Sequence, residues 1–344
     1  MNVSVSPFRV FATCPQSKDG ATASYAADVA AVATWSEEAG FHGILVYTDN
    51  SLVDPWLVSQ LILRATRVLS PLVAVQPAYM HPYAAAKMIA SLAFLHGRRL
   101  DVNLVAGGFR KDLLALADET PHDERYDRLV EYGEIVRGLL TTPRPYSFEG
   151  DYYRVRNLQL RPTVPDELLP TFFVSGSSPA GLAAARRLRA TAVKYPQPAH
   201  EERSTAEPEA GGLGIRVGIV ARESDEEAWQ VAHDRFPGDR KGQLTHQLAM
   251  EATDSHWHRQ LSRRQSGSES NGSAATRDPY WLWPFQNYHT FCPYLVGSYD
   301  RVAGELRAYK ESGFTTLIVD IPVSPADLGH IGTALARTLA PVAT

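Results

Sequence analysis

Short apolar runs alternate with helix-like segments along the chain, and this rhythm restricts the fold more than any other sequence feature. Residues 8–12, 42–47, 72–76 and 101–106 read as strands. Each is a continuous apolar run rather than an in–out alternation, as in a parallel sheet buried on both faces. Between them, helical faces recur, as with Tyr25, Val29, Val32, Ala33 and Ser36, or Leu129, Tyr132, Val136 and Leu139. After a fifth strand at Thr171–Val174 the rhythm returns more loosely at 191–194, 215–220 and 315–320. Eight strands with intervening helices favour an α/β chain folded as a (β/α)8 TIM barrel with insertions over an open doubly wound sheet. The 344 residues then form one barrel domain, 1–344.

Three stretches break the rhythm. Residues 146–160 read as a hairpin turning at Glu149-Gly150, and 196–212 as a surface loop rich in Pro, Glu and Gly. A longer insertion, 236–294, combines a serine-rich segment at 262–276, expected to be mobile, with the aromatic run Pro279–His289. Such a combination suits an active-site lid, and it equally suits an oligomer contact.

The charge of −4 gives no reason to expect nucleic acid or an anionic membrane as partner. Two cysteines are too few for a disulfide framework and fit a reducing cytoplasm. No apolar run approaches the roughly 20 residues needed to span a bilayer, and no signal peptide is legible.

Function in such a barrel gathers where strands end. The fifth strand runs into Ser175-Gly176-Ser177-Ser178 and then a helix opening with Pro179. Backbone N–H groups and hydroxyls at a helix N-terminus make a seat for phosphate, although serine there also serves simply as a cap. Other strand ends carry Asp49 and Asn50, then Gln76, Tyr79 and His81, then Asn103. Asp49 and Asn50 are equally suited to cap the next helix, and His81 to close a turn before Pro82. Arg216 lies within the seventh strand, where an inward charge needs a partner or an anionic ligand. No metal motif, nucleophile elbow or Walker lysine appears, so the expected reagent is a bound cofactor and no metal is expected.

Several segments together resemble the luciferase-like flavin monooxygenases, the barrel family that includes bacterial luciferase and alkanesulfonate monooxygenase. They are residues 98–106 (RRLDVNLVA), 123–129 (DERYDRL), 148–153 (FEGDYY), 173–178 (FVSGSS) and 216–229 (RVGIVARESDEEAW). The resemblance implies FMN, used as FMNH2, with its phosphate on Ser175, Gly176, Ser177 and Ser178 and on the Tyr126 hydroxyl. Gln76 and Asn103 would lie against the flavin ring, with a cis peptide expected at Gln76-Pro77. It further implies a separate NAD(P)H:flavin reductase, O2 as co-substrate, oxygen insertion through a flavin C4a-(hydro)peroxide, and a homo-oligomer.

The sulfonate enzymes' substrate residues are missing, since Leu52, Gly218 and Val323 stand where that group has a cysteine and two histidines. Residues 14–18, 47–56, 75–82, 240–249 and 287–297 instead resemble a branch from antibiotic assembly lines, typified by the butirosin pathway monooxygenase. That similarity implies a small acyl or aminoacyl substrate, free or tethered to a carrier protein. His81 is the expected proton-transfer group, with Arg216 and His289 as anion and lid contacts and Asp49, Tyr79 and Tyr288 beside the substrate. Two alternatives stand beside this expectation: a deazaflavin-dependent oxidoreductase on the same barrel, and a non-catalytic flavin-binding or carrier-docking protein.

Overall fold

The computed structural model describes residues 7–18, 20–202, 211–252, 261 and 274–339. The first half runs β1 (Arg9–Thr13), α1 (Tyr25–Glu38), β2 (Gly43–Val46), α2 (Pro55–Ala65), β3 (Ser70–Val75), α3 (Pro82–His96) and β4 (Asp101–Val105). Next come α4 (Arg110–Ala115), α5 (His122–Thr141), β5 (Tyr146–Glu149), β6 (Arg154–Leu158), β7 (Phe172–Ser175), α6 (Pro179–Arg187) and β8 (Thr191–Lys194). The rest comprises β9 (Leu213–Arg216), β10 (Gly218–Arg222), α7 (Asp225–Arg235), α8 (Arg240–Ala252), β11 (Tyr280–Trp281) and α9 (Trp283–Gln286). It ends with β12 (Tyr294–Ser298), α10 (Tyr299–Glu311), β13 (Phe314–Ile318) and α11 (Pro325–Arg337).

Eight parallel strands close into a barrel in the order β1-β13-β9-β8-β7-β4-β3-β2. The chain therefore has the (β/α)8 fold that its apolar runs imply. Inside, Phe11, Leu45, Leu72, Phe173, Val193 and Ile318 form one packed layer, each from a different strand. Below it Asp101, the first residue of β4, is fully buried and bound by Arg9 and Arg99. A period of two along β4 carries the same inward face on to Asn103 and Val105, so the strand passes from a sealed base to an open upper end.

Two sequence expectations are corrected. The run 215–220 is not one strand: Val217 N–H still bonds the Ile318 carbonyl of the barrel at 3.1 Å, but Gly218 N–H turns to Pro293 at 2.8 Å. From there β10 pairs with β12, which also carries β11, in a separate three-stranded sheet. Only glycine fits at the switch, because a Cβ at Gly218 would lie 2.2 Å from the Tyr294 ring. This sheet packs on α7 around Val220, Trp229, Phe236 and Val296 as a small second core. The other correction concerns the backbone: among the described residues the cis peptide is Arg161-Pro162, and Gln76-Pro77 is not cis.

The segment 146–160 forms the antiparallel pair β5–β6. Glu131 of α5 ties it down by accepting the N–H groups of Asp151, Tyr152 and Tyr153 at 2.8–3.0 Å. Of the loop expected at 196–212, residues 203–210 lie outside the described residues. Of the segment expected to be mobile, residues 262–273 also lie outside them, while Ala274–Thr276 form a 3-10 turn. Among the described residues no helix is long and apolar enough to cross a membrane, and no cluster of His, Cys, Asp and Glu is placed to hold a metal.

Candidate active site

A cavity of about 590 Å³ opens at the carboxyl ends of the barrel strands. One wall is the turn between β7 and α6. Ser178 caps α6, its hydroxyl accepting Gly181 N–H at 3.1 Å, and Pro179 occupies the first turn where its missing N–H costs nothing. Ser175 Oγ donates to Asn103 Oδ1 at 2.9 Å, locking the turn to β4. Ser177 Oγ is buried and has no partner. Gly176 passes so close to α5 that a Cβ would lie 2.3 Å from the Tyr126 hydroxyl. Burial raises the Tyr126 phenol, so it stays protonated and able to donate. Beside it, the His122 ring meets the Tyr126 ring edge-on at 5.3 Å.

The opposite wall is built on Arg216 at the end of β9. Its guanidinium lies 4.6 Å from the Tyr47 ring centroid and 5.5 Å from that of Tyr195. It donates to Tyr195 Oη at 2.7 Å and faces Asp320 Oδ1 at 3.4 Å. The other carboxylate oxygen, Oδ2, accepts from Thr290 at 2.5 Å and Tyr294 at 2.8 Å. Asp320 thus joins the last barrel strand, Arg216 and the end of the 236–294 insertion.

The mouth is aromatic. Phe291 meets Phe109 and Tyr288 edge-on at 6.4 and 5.6 Å, with the Lys18 ammonium 5.2 Å from its ring centroid. Tyr288 has a left-handed backbone, φ 61°, unusual for a bulky residue and typical of a strained position at a site. Asp49 and Asp112 also line the cavity, and burial together with Asp49 raises the Asp112 carboxyl.

The expected site residues fall into two groups. Asp49, Asn103, Tyr126, Ser175, Gly176, Ser177, Ser178, Arg216 and Tyr288 all line this one cavity. Gln76, Tyr79, His81 and His289 do not. Gln76 is buried, and its carbonyl accepts Tyr79 N–H. Tyr79 Oη donates to Asn50 at 2.7 Å. His81 caps α3, its Nδ1 accepting Tyr83 N–H at 3.2 Å, and its ring sits against Tyr153. The exposed His289 approaches the Pro237 carbonyl at 3.0 Å. Among the described residues, the histidine lining the cavity is His122.

Sequence reasoning missed Tyr47, Tyr195, Phe291 and Asp320. Strand parity held a signal for Tyr47, two residues beyond the inward Leu45, and for Asp320, two beyond the inward Ile318. Nothing local marks Tyr195 or Phe291, whose places depend on where the loops travel.

A parallel eight-stranded barrel with a cavity at the carboxyl ends of its strands and a hydroxyl-rich turn at a helix start has the build of a barrel enzyme. The comparisons with known proteins make that class particular. The family model described as luciferase-like monooxygenase matches residues 6–316, and the chain belongs to this family of flavin-dependent monooxygenases. It is 36% identical over 305 residues to the 4-(gamma-L-glutamylamino)butanoyl-[BtrI acyl-carrier protein] monooxygenase BtrO of Niallia circulans, with 87% of each chain covered. Among solved structures, long-chain alkane monooxygenase LadA aligns with a TM-score of 0.73 at 15% identity, covering 96% of this chain and 91% of that one. An F420-dependent secondary alcohol dehydrogenase aligns with a TM-score of 0.65 at 14% identity, covering 97% and 98%. These two likenesses concern the fold alone.

Proposed function

We propose that the protein is a two-component monooxygenase that binds reduced FMN and oxygenates a small acyl or aminoacyl group carried as a thioester on a carrier protein. The observation that carries this is the Ser175–Ser178 turn. Its buried, unpartnered Ser177 hydroxyl and the Gly176 cradle under Tyr126 fit a phosphate, and it opens into a cavity large enough for a flavin and a small substrate. BtrO, by its name, acts on an acyl-carrier-protein substrate, and 36% identity across most of both chains supports the same substrate class here.

When bound, reduced flavin supplies the activation of O2. The chain's own residues hold and enclose it. Ser177, Ser178 and the N–H groups at the start of α6 would take the phosphate, and Asn103, fixed by Ser175, would meet the ring. Phe109, Tyr288 and Phe291 shield the mouth from water. Arg216 and Tyr47 face the substrate, and Asp49 lies by the entrance. His122, which lines the cavity, takes the place of His81 as the proton-transfer group. A separate NAD(P)H:flavin reductase would supply the reduced flavin, as the family resemblance implies.

Intact-mass analysis of 4-(γ-L-glutamylamino)butanoyl and simpler acyl groups on a carrier protein, with reduced FMN and O2, tests the activity. A gain of one oxygen atom is expected, and its absence across the panel would refute the assignment. Anaerobic titration with reduced FMN and with F420 separates this reading from a hydride-transferring deazaflavin enzyme. Ser177→Ala should lower FMN affinity about five- to tenfold, the roughly 1 kcal/mol net worth of a typical hydrogen bond, and leave riboflavin affinity unchanged.

A further inference from the structure

Arg216 and Asp320 form a buried ion pair within the cavity wall, their side chains only 6% and 11% exposed. The pair is well supported on the acid side and loosely engaged on the basic side. Asp320 takes hydrogen bonds from Thr290 and Tyr294 on one oxygen and meets Arg216 at 3.4 Å on the other. Arg216 is aimed by Tyr195 and by the two flanking rings. Two donors at this wall have no partner, Arg216 Nε–H and the Tyr47 hydroxyl.

The neighbouring titratable groups add no compensating positive charge. Burial raises the Cys292 thiol and the Tyr195 and Tyr294 phenols, so all three are neutral. Arg235, which also acts on Tyr294, is itself paired with Asp327 at 2.8 Å. The wall is therefore rich in donors yet electrically balanced. An anionic ligand on Arg216 would have to sit beside the fixed charge of Asp320, and two like charges in a desolvated site repel strongly. An uncharged carbonyl oxygen meets no such penalty and satisfies buried donors that otherwise go unpaired.

We propose that Asp320 is a specificity-determining residue: by cancelling the charge of Arg216 it turns the Arg216–Tyr47 wall into a seat for an uncharged amide or thioester carbonyl and excludes carboxylates and sulfonates. This rests on the reading of the cavity as the site of an acyl substrate, but its test needs no turnover.

The test is calorimetric titration at constant ionic strength with three probes: the neutral thioester S-butanoyl-N-acetylcysteamine, sodium acetate and sodium methanesulfonate. The wild-type protein should bind the thioester saturably and lose that binding in Arg216→Gln, while the two anions give no saturable heat. Asp320→Asn should gain affinity for both anions by at least about tenfold, the scale of an uncovered charge, and Asp320→Asn/Arg216→Gln should lose the gain. Unchanged anion affinity in a folded Asp320→Asn overturns the proposal. So does saturable wild-type acetate or methanesulfonate binding that Arg216→Gln abolishes, or a wild-type protein that does not bind the neutral thioester. The wild-type and Arg216→Gln titrations decide the matter even where Asp320→Asn does not fold. Failure of oxygen insertion with intact thioester selectivity would instead refute the monooxygenase substrate while leaving the role of Asp320 standing.

Discussion

Alanine at Gly176 is expected to weaken binding of reduced FMN by roughly 30- to 100-fold, the effect of about 2–3 kcal/mol of overpacking. The added methyl would lie 2.3 Å from the Tyr126 hydroxyl and 3.1 Å from its ring carbon, and Tyr126 is itself packed into the core. Either the turn or the tyrosine must shift, and both are parts of the proposed phosphate seat. Anaerobic fluorescence titration with reduced FMN and reduced riboflavin measures the effect. The wild type should prefer FMN, and Gly176→Ala should lose most of that preference while binding riboflavin nearly as well. Tyr126→Phe in the same chain removes the nearest clashing atom and should restore part of the FMN affinity. Equal FMN affinity in wild type and Gly176→Ala would place the phosphate elsewhere.

The same turn illustrates what the sequence discloses and where it stops. The turn was legible because its parts are contiguous: an apolar strand, four small residues and a helix opening with proline. The barrel was legible for a related reason, since each buried parallel strand is a short unbroken apolar run. The seventh run misled because Leu213–Arg216 and Gly218–Arg222 are both buried along their whole length, yet belong to different sheets. Only the partner on the far side of Gly218, the Pro293–Tyr294 segment, separates them. His81 was plausible as a proton-transfer group because a histidine near a strand end is chemically suited to the role. Position along the strand does not tell direction: the His81 ring turns back to cap its own helix. Parity along the last barrel strand aims Asp320 inward, but its partners were unreadable because its three donors come from β9, from the insertion and from β12.

At the opposite end of the barrel, Asp101→Asn is expected to lower the stability of the protein by about 3 kcal/mol. The Asp101 carboxylate is fully buried and touches Arg9 at 2.6 Å, Arg99 at 3.0 Å, His42 at 3.3 Å and the Thr171 N–H at 2.9 Å. Burial alone would push this carboxyl up, but His42, Arg9, Arg99 and the Thr171 N–H together outweigh it and hold it below the usual range. An amide keeps one acceptor for Thr171 and leaves Arg9 and Arg99 facing each other without a counter-charge. The loss belongs at the lower end for a broken buried pair, because the two arginine side chains keep 26% and 35% exposure and can turn to water. The exposed pair Arg154–Glu149 is the contrast: Glu149→Gln should change stability by no more than about 0.5 kcal/mol. Urea denaturation of the three proteins at neutral pH measures both differences. The sign of the pH dependence follows from the depressed carboxyl. Its stabilisation is complete above the unfolded value of about 4 and fades as pH falls toward the lower folded value. The gap between wild type and Asp101→Asn should therefore be constant from pH 5 to 7 and narrow below about pH 4. A gap that widened in acid would show that Asp101 is held neutral in the folded barrel, and that the base is closed by hydrogen bonds rather than by charge.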